Sequence, residues 1–213
     1  MPFVDFAQAP LNCASSAGGV RAISARIWHG QHAAGARASA LAKAAAARMR
    51  GPAGRVQSLG AFEDLEIERD LRDGLPELFA SFARPRLEWY GCQGAFFHND
   101  AHYDGVLFGI WSVLGPARDV VFPRIDCRLS SAVGNMVVFD PFEPHGVLAT
   151  DALSYRAEDY EDAAPSVFLG FEVALTNEVR DAFGIAVPQE RSPTLSSRIA
   201  INPENGDFTS TSV

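Results

Sequence analysis

The sequence predicts a mainly β fold, a sandwich or jelly roll with helices packed outside it. Three observations carry this. Helical signals occupy residues 33–50 and 62–83 and one short segment near residue 180. Between residues 87 and 175, short apolar runs rich in Val, Ile, Phe and Trp follow one another, separated by Gly, Pro, Asp and Asn. The chain of 213 residues, 47% hydrophobic and 21% charged, is long enough to bury one core, so 1–213 reads as a single domain.

Residues 1–19 read as irregular, and VRAISARIW (20–28) as a first strand. AAGARASALAKAAAARMR (33–50) is helical by alanine propensity and stops at Gly51-Pro52. FEDLEIERDLRDGLPELFASFA (62–83) holds a second helical region. Leu65, Ile67, Leu71, Leu75 and Leu78 approximate its apolar spacing, and Gly74 and Pro76 break it. These segments make 1–85 a helical support.

The strand runs are LEWYGCQGAFF (87–97), GVLFGIWSVLG (105–115), DVVFPRIDCRL (119–129), NMVVFD (135–140), HGVLA (145–149) and SVFLGFEVAL (166–175). They place the β core at 86–175. Thr176 caps a short helix that ends near Gly184, and from Pro188 the chain reads as a loosely held polar tail, so 176–213 is helix and tail.

Charge and cysteines exclude several classes. Net charge is −8, which argues against nucleic acid, since neutralising phosphates needs a basic face. Residues 1–60 nevertheless hold seven Lys or Arg against the single acid Asp5, as expected of a solvated basic helix on an acidic body. Cys13, Cys92 and Cys127 form no CxxC spacing, which argues against a disulfide framework and a structural zinc site. No charged leader followed by an apolar run is visible, and no window approaches the roughly 18 apolar residues of a membrane span. A reduced, cytoplasmic, non-membrane chain is the expectation. No GxSxG elbow or glycine-rich phosphate loop occurs.

One stretch concentrates chemistry. FFHNDAHYDG (96–105) carries two of the five histidines around Asp100. If a strand continues through it, His98 and Asp100 face one side. His145, in FDPFEPHGVL (139–148), is the candidate third ligand. Two imidazoles and a carboxylate leave about half an octahedral shell open, as non-haem Fe(II) chemistry requires. His102 reads as a neighbour of the site rather than a ligand. His29 and His32 read as a surface pair. Trp111 and Phe108 read as core, Trp89 and Tyr90 as core residues with the option of lining a pocket, and Glu143 as solvated.

HND at 98–100 followed by His145 resembles the HxD…H motif of the Fe(II)/2-oxoglutarate-dependent dioxygenases. The similarity extends over roughly residues 86–175: an apolar strand (VLFGIWSVL), a strand with a central Phe-Pro (VVFPRIDCRL), and VGNMVVFDPFEPHGV leading to the distal histidine. The resemblance implies a double-stranded β-helix barrel and iron on His98, Asp100 and His145. It implies 2-oxoglutarate as cosubstrate, O₂, and hydroxylation of a small-molecule or amino-acid-like substrate. It also implies a cation for the far carboxylate of 2-oxoglutarate. The only lysine, Lys43, lies outside the β core, which leaves arginine. Arg156, eleven residues beyond His145, is one candidate, and Arg124 or Arg128, on the strand of Phe122, are the others. Tyr103 is a candidate hydrogen-bond donor to cofactor or substrate. A cupin-like metalloenzyme without 2-oxoglutarate and a non-catalytic ligand-binding barrel are the alternatives.

Overall fold

The structure, a computed structural model, describes residues 3–5, 13–16, 19–24, 26–82, 86–100, 103, 105–185, 194–196 and 200–209. The N-terminal part holds β1 (Phe3–Asp5), β2 (Cys13–Ser16), β3 (Gly19–Ala22), β4 (Arg26–Gln31), α1 (Ala36–Ala46), β5 (Gln57–Phe62), α2 (Leu65–Gly74) and α3 (Glu77–Phe82). The central block holds β6 (Leu87–Cys92), β7 (Ala95–His98), β8 (Val106–Leu114), β9 (Asp119–Phe122), β10 (Cys127–Ser130), β11 (Asn135–Phe139), β12 (His145–Leu148) and β13 (Ser166–Ala174). Helix α4 (Asn177–Phe183) follows, then β14 (Thr194–Ser196), β15 (Ala200–Ile201) and β16 (Phe208–Thr209).

Two antiparallel sheets dominate. The larger has the order β1-β4-β11-β8-β13-β6-β5 and the smaller β10-β9-β12-β7. The fold is therefore mainly β with few helices, consistent with a jelly-roll-like arrangement. Their inner faces enclose an aromatic layer that includes Phe108, Phe122, Phe139 and Phe168. The outer face of the larger sheet is covered by helices. Helix α1 presents Ala38, Ala42 and Ala45, all fully buried, and these small side chains let its backbone lie close to the sheet. Helix α2 begins at Asp64, whose carboxylate accepts from the N–H groups of Glu66 and Ile67, and it buries Ile67 and Leu71. Its end at Gly74, ahead of Pro76, is where the sequence places the break. Helix α4 is capped by Thr176, which accepts from Val179 N–H, and closes at Gly184 in the left-handed region.

Several expectations change. The run 87–97 is two strands, because Gly94 turns the chain at φ +73, where an added Cβ would meet the Tyr160 ring. The run 119–129 is a hairpin, because Pro123–Ile125 forms a 3₁₀ turn closed by Asp126 at φ 48. Arg124 thus lies in a turn rather than on the strand of Phe122, and only Arg128 is on a strand, β10. Residues 20–28 contribute to two strands, β1 and β2 lie in the segment read as irregular, and β5 is an edge strand that the polar sequence QSLGAF did not signal. Pro188 lies outside the described residues, but the tail beyond it is not simply loose. The β15–β16 hairpin docks on the smaller sheet, where Phe97 N–H donates to the Pro203 carbonyl at 3.0 Å and Tyr155 N–H to the Glu204 carbonyl at 2.8 Å.

The basic N-terminal part is anchored as well as solvated: Arg37 pairs with Asp64 at 2.6 Å and Arg26 with Asp5 at 2.5 Å. His32 is not a free surface histidine. It contacts Asp70 at 2.8 Å and packs on Trp111, with ring centroids 5.4 Å apart. Trp111 and Trp89 are core residues, as expected. Among the described residues, no helix is long and apolar enough to cross a membrane.

Candidate metal centre

The smaller sheet sets the site. Strands β7 and β12 pair antiparallel with His98 opposite His145, so the last residue of one strand faces the first of the other. Their rings lie 4.6 Å apart. Strand β7 stops at His98, so Asp100 is not delivered by strand alternation. A turn delivers it, fixed by Asp100 N–H donating to the Pro141 carbonyl at 2.7 Å and Tyr103 N–H donating to the Asp100 carbonyl at 2.9 Å. Pro141 lies four residues before His145, so the same loop positions both ligands.

The candidate ligand atoms of His98, Asp100 and His145 all lie within 4.8 Å of one another. His145 Nε2 is 3.6 Å from one Asp100 oxygen and His98 Nε2 is 3.9 Å from the other, both beyond hydrogen-bond length. Both Nδ1 atoms face backbone carbonyls: His98 to Phe96 at 2.7 Å and His145 to Glu143 at 2.9 Å. A carbonyl can only accept, so each Nδ1 carries a proton and Nε2 is the nitrogen that each ring turns toward Asp100. Fixing the imidazole tautomer through the outer nitrogen is how proteins prepare histidine for a metal. His145 is buried between Phe139 and Phe122, and the other two are half-buried. Two neutral imidazoles, one carboxylate and no thiolate make a donor set that fits a divalent first-row metal with open positions. His102 lies outside the described residues.

The three residues line a cavity of about 260 Å³ between the sheets. Its wall is mostly apolar, from Phe108, Ile110, Val120, Phe139 and Phe168, with Tyr90, Tyr103, Ser112, Ser131 and Ser166 as polar points. Tyr90 and Tyr103 share a hydrogen bond at 3.0 Å, and burial raises both phenols above their ordinary range, so they stay protonated. Tyr90 is thus a lining residue, while Trp89 packs on the helix side. Cys92 also lines the cavity, with its thiol pushed up to about 11 by burial.

The expected arginines have other partners. Arg124 makes a two-pronged pair with Glu143 at 3.0 and 2.8 Å, with Glu143 buried and the Arg124 side chain 9% exposed. Glu143 is therefore not solvated: the turn folds it inward, burial raises its carboxyl, and the Arg124 guanidinium lowers it again. Arg128 pairs with Asp119 at 2.8 Å and also donates to the Ala152 carbonyl. Arg156 is exposed, pairs with Asp159 at 3.0 Å, and lines a separate outer groove that shares His98 with the cavity.

A fourth arginine was not signalled. Arg118, only 3% exposed, donates to the Ser166 hydroxyl and to the carbonyls of Ala164 at 2.7 Å and Cys92 at 3.4 Å. Among the described residues it has no carboxylate partner. Ser166 and Cys92 line the cavity, so a buried guanidinium backs that stretch of wall. Nothing in GPARD marks Arg118 in the sequence, because its burial depends on β13 pairing across the sheet.

No family model and no curated protein matches the chain. Among solved structures, one described as an oxidoreductase of the 2OG-Fe(II) oxygenase family, from Burkholderia pseudomallei, is similar over 67% of this chain and 81% of its own. The identity is 15% and the TM-score 0.40. The chemistry below therefore rests on the geometry of this chain.

Proposed function

We propose that the protein is a non-haem Fe(II)- and 2-oxoglutarate-dependent oxygenase on a double-stranded β-helix, acting on a small-molecule substrate. The observation that carries this is the convergence of His98, Asp100 and His145 at the wall of a mostly apolar cavity, with both imidazoles turned so that Nε2 faces the site. In this reading the three residues hold Fe(II). The bound metal supplies the activation of O₂ that couples decarboxylation of 2-oxoglutarate to succinate and CO₂ with oxidation of a substrate C–H bond.

The residues of the chain divide the remaining tasks. Phe108, Phe139 and Phe168 keep water from the reacting centre. The Phe96 and Glu143 carbonyls keep the ligand rings oriented. Ser112 offers its hydroxyl to the far carboxylate of 2-oxoglutarate, and Arg118 behind Ser166 compensates its charge. Tyr103 and Tyr90 add a phenol pair to the same cavity. Arg118 takes this role in preference to Arg124 and Arg156, because each of those is already bonded to a carboxylate.

The pairing of Arg124 and Arg156 also supports a second reading, a cupin-like metalloenzyme that does not use 2-oxoglutarate. One experiment separates the two. Metal-free protein is given Fe(II) and then 2-oxoglutarate without oxygen, and the weak visible charge-transfer band of a chelated 2-oxo acid is sought. The oxygenase reading expects a band that His98→Ala and His145→Ala both lose. Bound iron with no band would favour the cupin-like enzyme.

A further inference from the structure

The inner cavity of about 260 Å³ lies below the roughly 300–1,000 Å³ of pockets that hold drug-sized ligands. A five-carbon diacid would take up much of it, so a primary substrate needs space outside. A second cleft of about 320 Å³ lies against the triad, lined by Gly54, Arg55, Val56, Phe96, His98 and Asp100. It shares His98, Asp100 and Val56 with the inner cavity.

Among the described residues the cleft has one cation, Arg55, and the loop that carries it is held in place. The Phe96 N–H donates to the Gly54 carbonyl at 3.0 Å, and Gly54 bridges to Ala95, which ties the loop to β7 two residues before the ligand His98. Gly54 has φ +88, and an added Cβ there would run into the Tyr155 hydroxyl, so this close approach of the loop to Tyr155 requires glycine. The Arg55 guanidinium lies 5.8 Å from the Phe96 ring centroid. Among the described residues it has no carboxylate partner, unlike Arg26, Arg37, Arg72, Arg124, Arg128 and Arg156. An arginine held on an aromatic face beside a reaction centre, with its planar donors unspent, is suited to a carboxylate.

We propose that this outer cleft receives a carboxylate-bearing primary substrate and that Arg55 binds its carboxylate, directing the rest of the molecule toward His98 and Asp100. The proposal rests on the oxygenase reading of the triad.

The test uses the full chain loaded with Mn(II) and 2-oxoglutarate. Proton relaxation is measured for benzoate and N-acetylalanine, each against its neutral amide. The acids are expected to relax at least fivefold more than the amides. Arg55→Gln is expected to abolish that difference and leave the relaxation of 2-oxoglutarate and the melting temperature unchanged, while Arg55→Lys retains part of it. Equal relaxation of acid and amide in the parent overturns the proposal. So does a preference that survives Arg55→Gln, since the acid would then sit on the metal or near Arg118. If water relaxation shows no bound Mn(II), the metal reading fails separately. Saturation transfer from metal-free protein then decides Arg55 alone: an acid preference lost in Arg55→Gln supports the carboxylate site, and no preference overturns it.

Discussion

Strands β8 and β13 are nine residues each and buried along nearly their whole length, whereas β7 and β12 are four residues each and meet at His98 and His145. The long pair holds Trp111, Leu169, Phe171 and Val173 against the helices, and its single ionisable residue is Glu172. The short pair ends where sheet pairing ends, next to a cavity, and there the polar donors gather. Long strands buried on both faces supply packing, and only one face of them, at Phe108, Ile110, Ser112, Ser166 and Phe168, reaches the cavity as its wall. Short strands supply fixed end points, and the turns beyond them aim side chains into open space. Stability and chemistry should therefore be separable by mutation.

The largest expected effect is on the long pair. Trp111→Ala removes a fully buried indole and should cost about 3–5 kcal/mol in denaturant unfolding. A loss under about 1 kcal/mol would mean that β8 is not the support. Next is the buried pair beside the short strands. Arg124→Ala strands the Glu143 carboxylate and should cost about 3 kcal/mol, whereas replacing both by Met and Leu should recover much of it. A full loss in the double variant would show that the pair itself, rather than a stranded charge, sets the cost. His98→Ala should cost about 1 kcal/mol or less, since the side chain is half-buried and its Nδ1 bonds to the neighbouring Phe96 carbonyl. A larger loss would break the separation between packing and chemistry.

The smallest effect is at α2. The Arg37 guanidinium, foremost, and the helix N–H groups hold the Asp64 carboxyl below its ordinary range, against a smaller effect of burial. A lowered folded value contributes stability above the unfolded carboxylate value, and that stability is lost as pH falls through the folded value. Asp64→Asn should flatten the acid limb below about pH 4, and added salt should shrink the difference because Arg37 is more than half exposed. An unchanged acid limb would contradict this.

Much of this contrast is legible in the sequence. The continuous apolar run VLFGIWSVL can only be buried on both faces, and Thr176 with Gly184 marks both ends of α4 through cap chemistry. His98, Asp100 and His145 stand out because their residue types share one purpose. Local conformations were harder to read. The splits at Gly94 and Asp126 depend on left-handed backbone positions inside apolar runs that otherwise read as single strands. Glu143 reads as a solvated charge and nothing marks Arg118, because what buries them comes from elsewhere in the chain: Arg124 in one case, Ser166 and the Ala164 carbonyl in the other. His32 is held by Asp70, 38 residues away.

The most direct test of the central claim is the stoichiometry of Fe(II) bound without oxygen by the parent, His98→Ala, Asp100→Ala and His145→Ala. One iron per chain in the parent, with affinity lowered at least a hundredfold in each variant while the fold is retained, is the predicted result. Equal iron binding in the parent and all three variants would contradict a metal centre at this site.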